Sequence, residues 1–273
     1  MPRQVTTTTT GTAATVCLAV TAALALVLTG CGGSADAGAD DEVSPTGLTA
    51  ASATAVPDVA DAVTNSVDEV DPAAALGQAL AALEAAVGYR VSGSPSAGAP
   101  LDLAFSAGEP VGPGRSDIVG RGARGTLTQD GSTFEVLAVD GAVYVRGNLD
   151  WLADEVAESA RRTLGDKWLL LPEERAQSLA TITDPDAFAD AVLTPSGAVQ
   201  SVGVASIEDV PALGIRYLDT DATAWISGTG EPYPLLVERL GATATDGVLR
   251  FSDVDEPVTL TAPDVDQVVV VEG

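Results

Sequence analysis

Two Asp-Gly pairs, Asp130-Gly131 and Asp140-Gly141, stand ten residues apart inside the run 124–147, "RGTLTQDGSTFEVLAVDGAVYVRG". A two-residue type I′ hairpin turn needs positive φ at both central positions, which Asp tolerates and Gly adopts freely. The spacing therefore predicts three antiparallel strands joined by two tight turns. In "FEVLAVDGAVYV" both alternation sets are apolar, with Phe134, Val136 and Ala138 on one side and Leu137 and Val139 on the other. A strand apolar on both faces needs cover on both.

Helical signals frame this meander. In "DPAAALGQALAALEAAVGY" Asp71 suits the N-cap, Pro72 the first helical position and Gly88 the C-terminal cap. Leu76, Leu80, Leu83 and Val87 recur at helical spacing and form one apolar stripe. Residues 149–164, "LDWLADEVAESARRTL", also read as a helix, with Trp151, Leu152, Val156 and Ala160 on one face. "EERAQSLA" and "DPDAFADAVLT" predict two shorter helices, the second with Asp184 as N-cap and Pro185 at the first position. "YRVSGS", "LDLAFSA" and "DKWLLLP" read as extended.

From residue 198 the chain returns to strands, "AVQSVGVASIED", "GIRYLD", "ATAWISG", "YPLLVERLG", "GVLRFSDVD" and "PVTLTAP", separated by Gly, Pro and Asp. The late ones alternate cleanly: Leu249 and Phe251 against Arg250 and Ser252, then Val258, Leu260 and Ala262 against Thr259 and Thr261. The order helix, strands, helices, strands predicts an α+β fold with helices laid over one antiparallel sheet.

The start of the chain has a different logic. Residues 1–12 carry Arg3 and no acid, residues 13–30 are almost wholly apolar, and the apolar run stops at Cys31. This is the order of a secretory signal; the stretch also reaches the about 20 residues a membrane-spanning helix takes. Leu28, Thr29 and Gly30 ahead of Cys31 look like a bacterial lipobox, in which the cysteine becomes the first residue of the mature chain and its thiol takes a diacylglyceryl group. Residues 1–30 are thus expected to be a lipoprotein signal peptide that takes Cys17 with it. Residues 31–70 are then a lipidated cysteine and a Gly, Ser, Ala, Thr, Pro and Asp tether, spanning roughly 35 Å as coil. Residues 71–273 form the folded domain. Two or three acyl chains anchor stably where one does not, so the expected location is the cell membrane, lipid-anchored on its extracytoplasmic face.

Composition narrows the chemistry. The chain has 273 residues and a formal net charge of −26; losing Arg3 with the signal leaves about −27. A surface of that sign repels nucleic acid and anionic headgroups. The cations are twelve arginines and one lysine, Lys167; with the abundant Ala, Gly, Val and Asp this fits a GC-rich, actinobacterial genome. There is no histidine, which removes Ser-His-Asp and Cys-His pairs and the commonest transition-metal ligand. No metal site, cofactor or catalytic residue is assigned. Gly120 to Gly125, "GRGARG", matches G-x-G-x-x-G, but "TLTQDG" after it reads as strand and turn where a dinucleotide site needs a helix. It is read as a strand linker. The acidic clusters "DTDAT", "SDVDEP" and "PDVDQ" lack EF-hand spacing and are read as solvated turns.

The opening helix, the meander at 125–147, "GDKWLLLP" after a helix, and the closing "YPLLVERLG…GVLRFSDVDEPVTLTAP" together resemble the LppX/LprAFG family of actinobacterial lipoproteins, similar in fold to the LolA/LolB carriers. The resemblance runs from about Asp71 to Pro263. It implies a curved antiparallel half-barrel sheet with helices packed over its concave face around an apolar cavity. It also implies that the cavity holds the acyl chains of a lipid or glycolipid, to be carried or presented at the envelope, with no enzymatic activity. Tyr89 to Gly125 is richer in Gly and Pro than the family's early strands. The residues expected to line a cavity are Leu76, Leu80, Leu83, Phe134, Val136, Tyr144, Trp151, Val156, Trp168, Phe188 and Trp225. The same apolar parts also build an ordinary filled core, so the alternative is a structural or protein-interaction lipoprotein. A carboxylate-dependent hydrolase of wall polymers is a third, weaker reading.

Overall fold

A computed structural model describes residues 63–108, 120–129, 131–149, 152, 164–243 and 246–270. The lipobox and Cys31, the tether up to residue 62, Asp130, Trp151, Val156 and nearly all of the helix expected over 149–164 lie outside the described residues.

Twelve strands form one sheet, built from two meanders and a final short strand. The first meander contains β1 (Gly88–Ser94), β2 (Leu101–Ser106), β3 (Gly122–Gln129), β4 (Ser132–Val139), β5 (Ala142–Gly147) and β6 (Trp168–Leu170). The second contains β7 (Val199–Ile207), β8 (Val210–Tyr217), β9 (Ala222–Ser227), β10 (Pro234–Thr243) and β11 (Asp246–Ser252), and β12 (Val268–Val270) follows. The order across the sheet is β12-β6-β5-β4-β3-β2-β1-β11-β10-β9-β8-β7. The antiparallel pairing of β1 with β11, including Val91 opposite Phe251, joins the two meanders. Among the described residues every pair is antiparallel except β6 with β12, and β7 and β12 each pair on one side only, so this curled sheet is open. The turn expected at Asp140-Gly141 has φ of 50° and 86°, both positive as type I′ requires.

Among the described residues three helices cover one face. Helix α1 (Pro72–Ala85) starts where expected, with the Asp71 carboxylate accepting from the Ala73 N–H at 2.9 Å. Its expected end is corrected: Gly88 is no cap but the first residue of β1, and the helix stops at Ala86 in extended conformation. Gly88 is required for a different reason, since a Cβ there would lie 2.5 Å from the Glu256 carbonyl oxygen and 2.8 Å from that of Phe105. Helix α2 (Glu173–Thr183) runs past the expected "EERAQSLA". Helix α3 (Pro185–Leu193) is capped by Asp184, which accepts from the N–H groups of Asp186 and Ala187 at 3.1 and 2.9 Å.

The apolar residues of alternate positions face these helices in two clusters. One joins Tyr89, Leu103, Phe105, Phe134, Val136, Val145 and Phe251 to Leu83 of α1, Leu179 of α2 and Phe188 and Leu193 of α3. The other packs Ala75, Leu76 and Ala79 of α1 on Leu213, Ile215, Ala224 and Ile226. Helix α1 therefore straddles both, with Leu76 in one and Leu83 in the other. The packed body reaches back to Val63: the Thr64 N–H donates to the Gly228 carbonyl at 2.7 Å, and Val67 is buried in the second cluster.

The double cover expected for β4 is present. Phe134, Val136 and Ala138 face the helices, while Leu137 and Val139 on the convex face are sealed by Leu260, 3% exposed. That seal corrects one expected strand. Residues 257–263 alternate as a strand would but pair with none; they cross the convex face as an extended strap between Pro257 and Pro263. Alternation records burial of one side of an extended chain, whatever its backbone bonds to. The valine run at 268–270, unread in the sequence, is the segment that joins the sheet.

Candidate functional site

The space between helices and sheet is filled by apolar side chains. Tyr89 stacks on Phe105 with ring centroids 4.7 Å apart, and Phe105 meets Phe188 at 4.9 Å. The hydroxyls inside are bonded to helix carbonyls: Tyr89 donates to Pro185 at 2.6 Å and Tyr217 to Val192 at 3.2 Å. Burial pushes both phenols above their ordinary value, and the Asp186 and Asp184 carboxylates push Tyr89 further the same way. Besides these two phenols, the buried polar side chains among the described residues are Ser94, Ser106, Ser132, Thr183 and Ser227, none of them ionisable.

Of the residues expected to line a cavity, Leu83, Phe134, Val136 and Phe188 come together in the first cluster, with Leu80 packed against it. Leu76 lies in the second. Tyr144, Trp168 and Trp225 face the opposite side of the sheet. Tyr144 and Trp168 pack against the strap cluster. Trp225 lies over Gly214, where a Cβ would come within 2.7 Å of its ring, and donates from Nε1 to Glu238 at 2.9 Å.

A groove of about 470 Å³ opens between α2 and the ends of β3–β5. Its floor is Gly122, Ala138, Gly141 and Val143, its wall Ala176, Ala180 and Thr183, and its rim Arg121, Asp140, Glu173, Gln177 and Asp184. Ala138 and Val143 also belong to the first apolar cluster, so the bottom of the groove is the core itself. At one end Arg121 clamps α3 to the sheet. Its Nε and one Nη reach Asp184 at 3.1 and 3.2 Å, the same Nη reaches Asp186 at 2.7 Å, and the other Nη meets the Ala107 carbonyl at 3.5 Å. Desolvation works to raise the Asp184 carboxyl, but hydrogen bonds from Arg121 and from the Ala187 and Asp186 N–H groups outweigh it and hold the group below its ordinary range. Nothing in the local sequence signals this clamp, because its partners are 63 residues apart.

A second groove of about 580 Å³ lies on the convex face beneath the strap. Arg90 grips Asp102 with two bonds of 2.8 and 2.6 Å, and Arg146 pairs with Glu135 while standing 4.4 Å above the Trp168 ring. Arg124, Thr126, Thr259 and Thr261 also line it, with Gly125 and the apolar Ala104, Val136 and Leu137 between them.

The glycine motif has a packing role. Cβ atoms at Gly120, Gly122 and Gly125 would lie 2.3 Å from Val139 Cγ2, 2.2 Å from the Ala138 oxygen and 1.9 Å from the Asp102 oxygen. The linker expectation is corrected: Gly122 to Gly125 are the first half of β3, paired with β2 and β4, and the helix that a dinucleotide site needs does not follow. Among the described residues no group of three or more acidic or thiol side chains could hold a metal ion. "DTDAT" is the turn after β8, where Asp221 pairs with Arg216 at 3.0 Å and Asp219 accepts from the Ser196 hydroxyl.

No helix among the described residues is long and apolar enough to cross a membrane. No family model and no curated protein matches the chain. Among solved structures the chain is similar to LprF from Mycobacterium bovis, at 14% identity and a TM-score of 0.46, covering 70% of this chain and 96% of that one. It is similar to the lipoprotein LppX from Mycobacterium tuberculosis at 16% identity and a TM-score of 0.41, covering 70% and 98%. A conserved protein from Thermus thermophilus follows at 13% and 0.36, covering 72% and 98%.

Proposed function

We propose that this chain is an extracytoplasmic lipoprotein, held to the cell membrane by acyl groups on Cys31, that binds the apolar chain of a lipid or glycolipid and catalyses no reaction. The observation that supports it is the groove beside α2. A volume of about 470 Å³ is in the range of small-molecule sites, and its floor is continuous with the apolar core. An acyl chain laid there gains about 0.8 kcal/mol for each methylene removed from water. Deeper insertion requires α2 and α3 to move off the sheet, because the core beneath them is filled by side chains.

Native mass spectrometry of the mature chain carrying Cys31→Ser, with and without added long-chain amphiphiles, tests the reading. A one-to-one adduct, lost in Ala176→Trp, is the expected result; absence of any adduct refutes it. Comparison of the unaltered chain with Cys31→Ser tests the anchor: mass and detergent partitioning should both change.

A specific observation favours the alternative of a structural or interaction lipoprotein. Leu76, Leu83, Phe134, Val136 and Phe188 are each 2% exposed or less and already fill the interior. A protein partner captured on the wild-type chain, with no amphiphile bound, would establish that reading instead.

A further inference from the structure

Resting on the lipid-binding reading, we propose that the groove beside α2 selects amphiphiles by head-group charge, taking uncharged polyhydroxyl or cationic heads and rejecting phosphate and carboxylate heads. The lining holds three carboxylates, Asp140, Glu173 and Asp184, against one guanidinium, Arg121. Four of the five N–H donors of that guanidinium are committed. Its nitrogens are directed at Asp184, Asp186 and the Ala107 carbonyl, and those bonds fasten α3 to the sheet. Recruiting those donors for an anionic head would release the clamp. The other arginine at the start of α2, Arg175, is not part of the lining.

The acceptors, by contrast, are partly open. Glu173 accepts through one oxygen from Gln177 at 3.3 Å, and Asp140 accepts through one oxygen from the Arg121 N–H at 3.0 Å. The second oxygen of each accepts nothing among the described residues. Both side chains are exposed at the rim, where a head group would sit once its chain lay on Ala138 and Val143. Two outward acceptors match hydroxyl donors or a cation, and they repel an anion. The net charge of −26 adds to the repulsion.

The test is displacement of the neutral probe N-phenyl-1-naphthylamine from the mature chain carrying Cys31→Ser, at low salt and below micelle formation. The competitors share one chain: dodecyl maltoside, dodecyltrimethylammonium and dodecyl phosphate. The first two should displace the probe, and dodecyl phosphate should need at least about ten-fold more, which corresponds to about 1.4 kcal/mol. The double substitution Glu173→Gln with Asp140→Asn should shrink that gap to under about three-fold without changing the circular dichroism spectrum, as should salt at about 0.5 M. Equal or better displacement by dodecyl phosphate overturns the selectivity and leaves lipid binding standing. A gap that persists in the double variant also overturns it, since the rim carboxylates would not be its source. If the probe does not bind, or no amphiphile displaces it, the lipid-binding reading fails and takes this inference with it.

Discussion

The convex groove is the larger of the two concavities, about 580 Å³ against 470 Å³, and it contains a tryptophan, yet it is the poorer place for an apolar chain. Matched charges run along it, beside the apolar Ala104 and Leu137. Arg90 answers Asp102, Arg146 answers Glu135, and Arg146 also covers the Trp168 ring. Leu137, which lines it, and Val139 are already largely covered by Leu260, at 8% and 7% exposed. The smaller groove has small apolar side chains at its base and the core directly below them. Size alone therefore ranks these sites wrongly; what decides is whether displacing water exposes carbon or strips ion pairs of solvent.

The contrast can be broken at several points. The largest effect is expected inside, where Phe105 is fully buried between Tyr89 and Phe188. Phe105→Ala should cost about 3–5 kcal/mol in denaturant unfolding; a cost under about 1 kcal/mol would mean that the core beneath the helices is loosely filled. Next is a pair of bulky substitutions, one per groove. Ala176→Trp should weaken amphiphile binding about ten-fold or more, roughly 1.4 kcal/mol, while Thr126→Trp under the strap should leave it unchanged. A reversed outcome would transfer the binding site to the convex face.

Smaller effects sharpen the picture. Tyr89→Phe removes the hydroxyl that donates to Pro185 and leaves that carbonyl without its partner, which should cost about 1 kcal/mol in thermal or chemical melts. On the convex side Arg146→Met breaks an exposed pair and a ring contact and should cost no more than about 1 kcal/mol. The smallest signal is in acid. Asp184 sits below its ordinary value of 3.8 in the folded chain, so the stability from its charge is complete above that value and is lost as pH falls through the folded one. Arg121→Met should make the denaturation midpoint fall less steeply below about pH 4 than in the wild type; an unchanged slope would show that the clamp does not set the Asp184 charge.

Much of the architecture was legible because its signals are local. Asp71-Pro72 and Asp184-Pro185 start helices by capping chemistry, and Asp140-Gly141 turns a hairpin because both residues take positive φ. The two apolar faces of β4 were readable as a demand for two covers. What supplied the second cover was not readable, since Leu260 is more than a hundred residues from Leu137. The grooves were less legible still. Ala138, Val143, Ala176 and Ala180 have no motif, and in the sequence Arg121 is only a letter inside a glycine pattern. Tyr144, Trp168 and Trp225 were grouped with the interior by residue type, while the pairing register turns them outward.

By itself, then, the sequence determined the identity of most elements, the α+β class, the turn positions and the lack of histidine chemistry. All of these follow from backbone dihedral preferences and side-chain periods that act over a few residues. Tertiary structure alone decided that 257–263 lies over the sheet while 268–270 joins it, that α1 divides its leucines between two clusters, and that an apolar groove forms beside α2. Those outcomes depend on which distant backbone groups find partners and which face each strand presents, and no short window of sequence contains either.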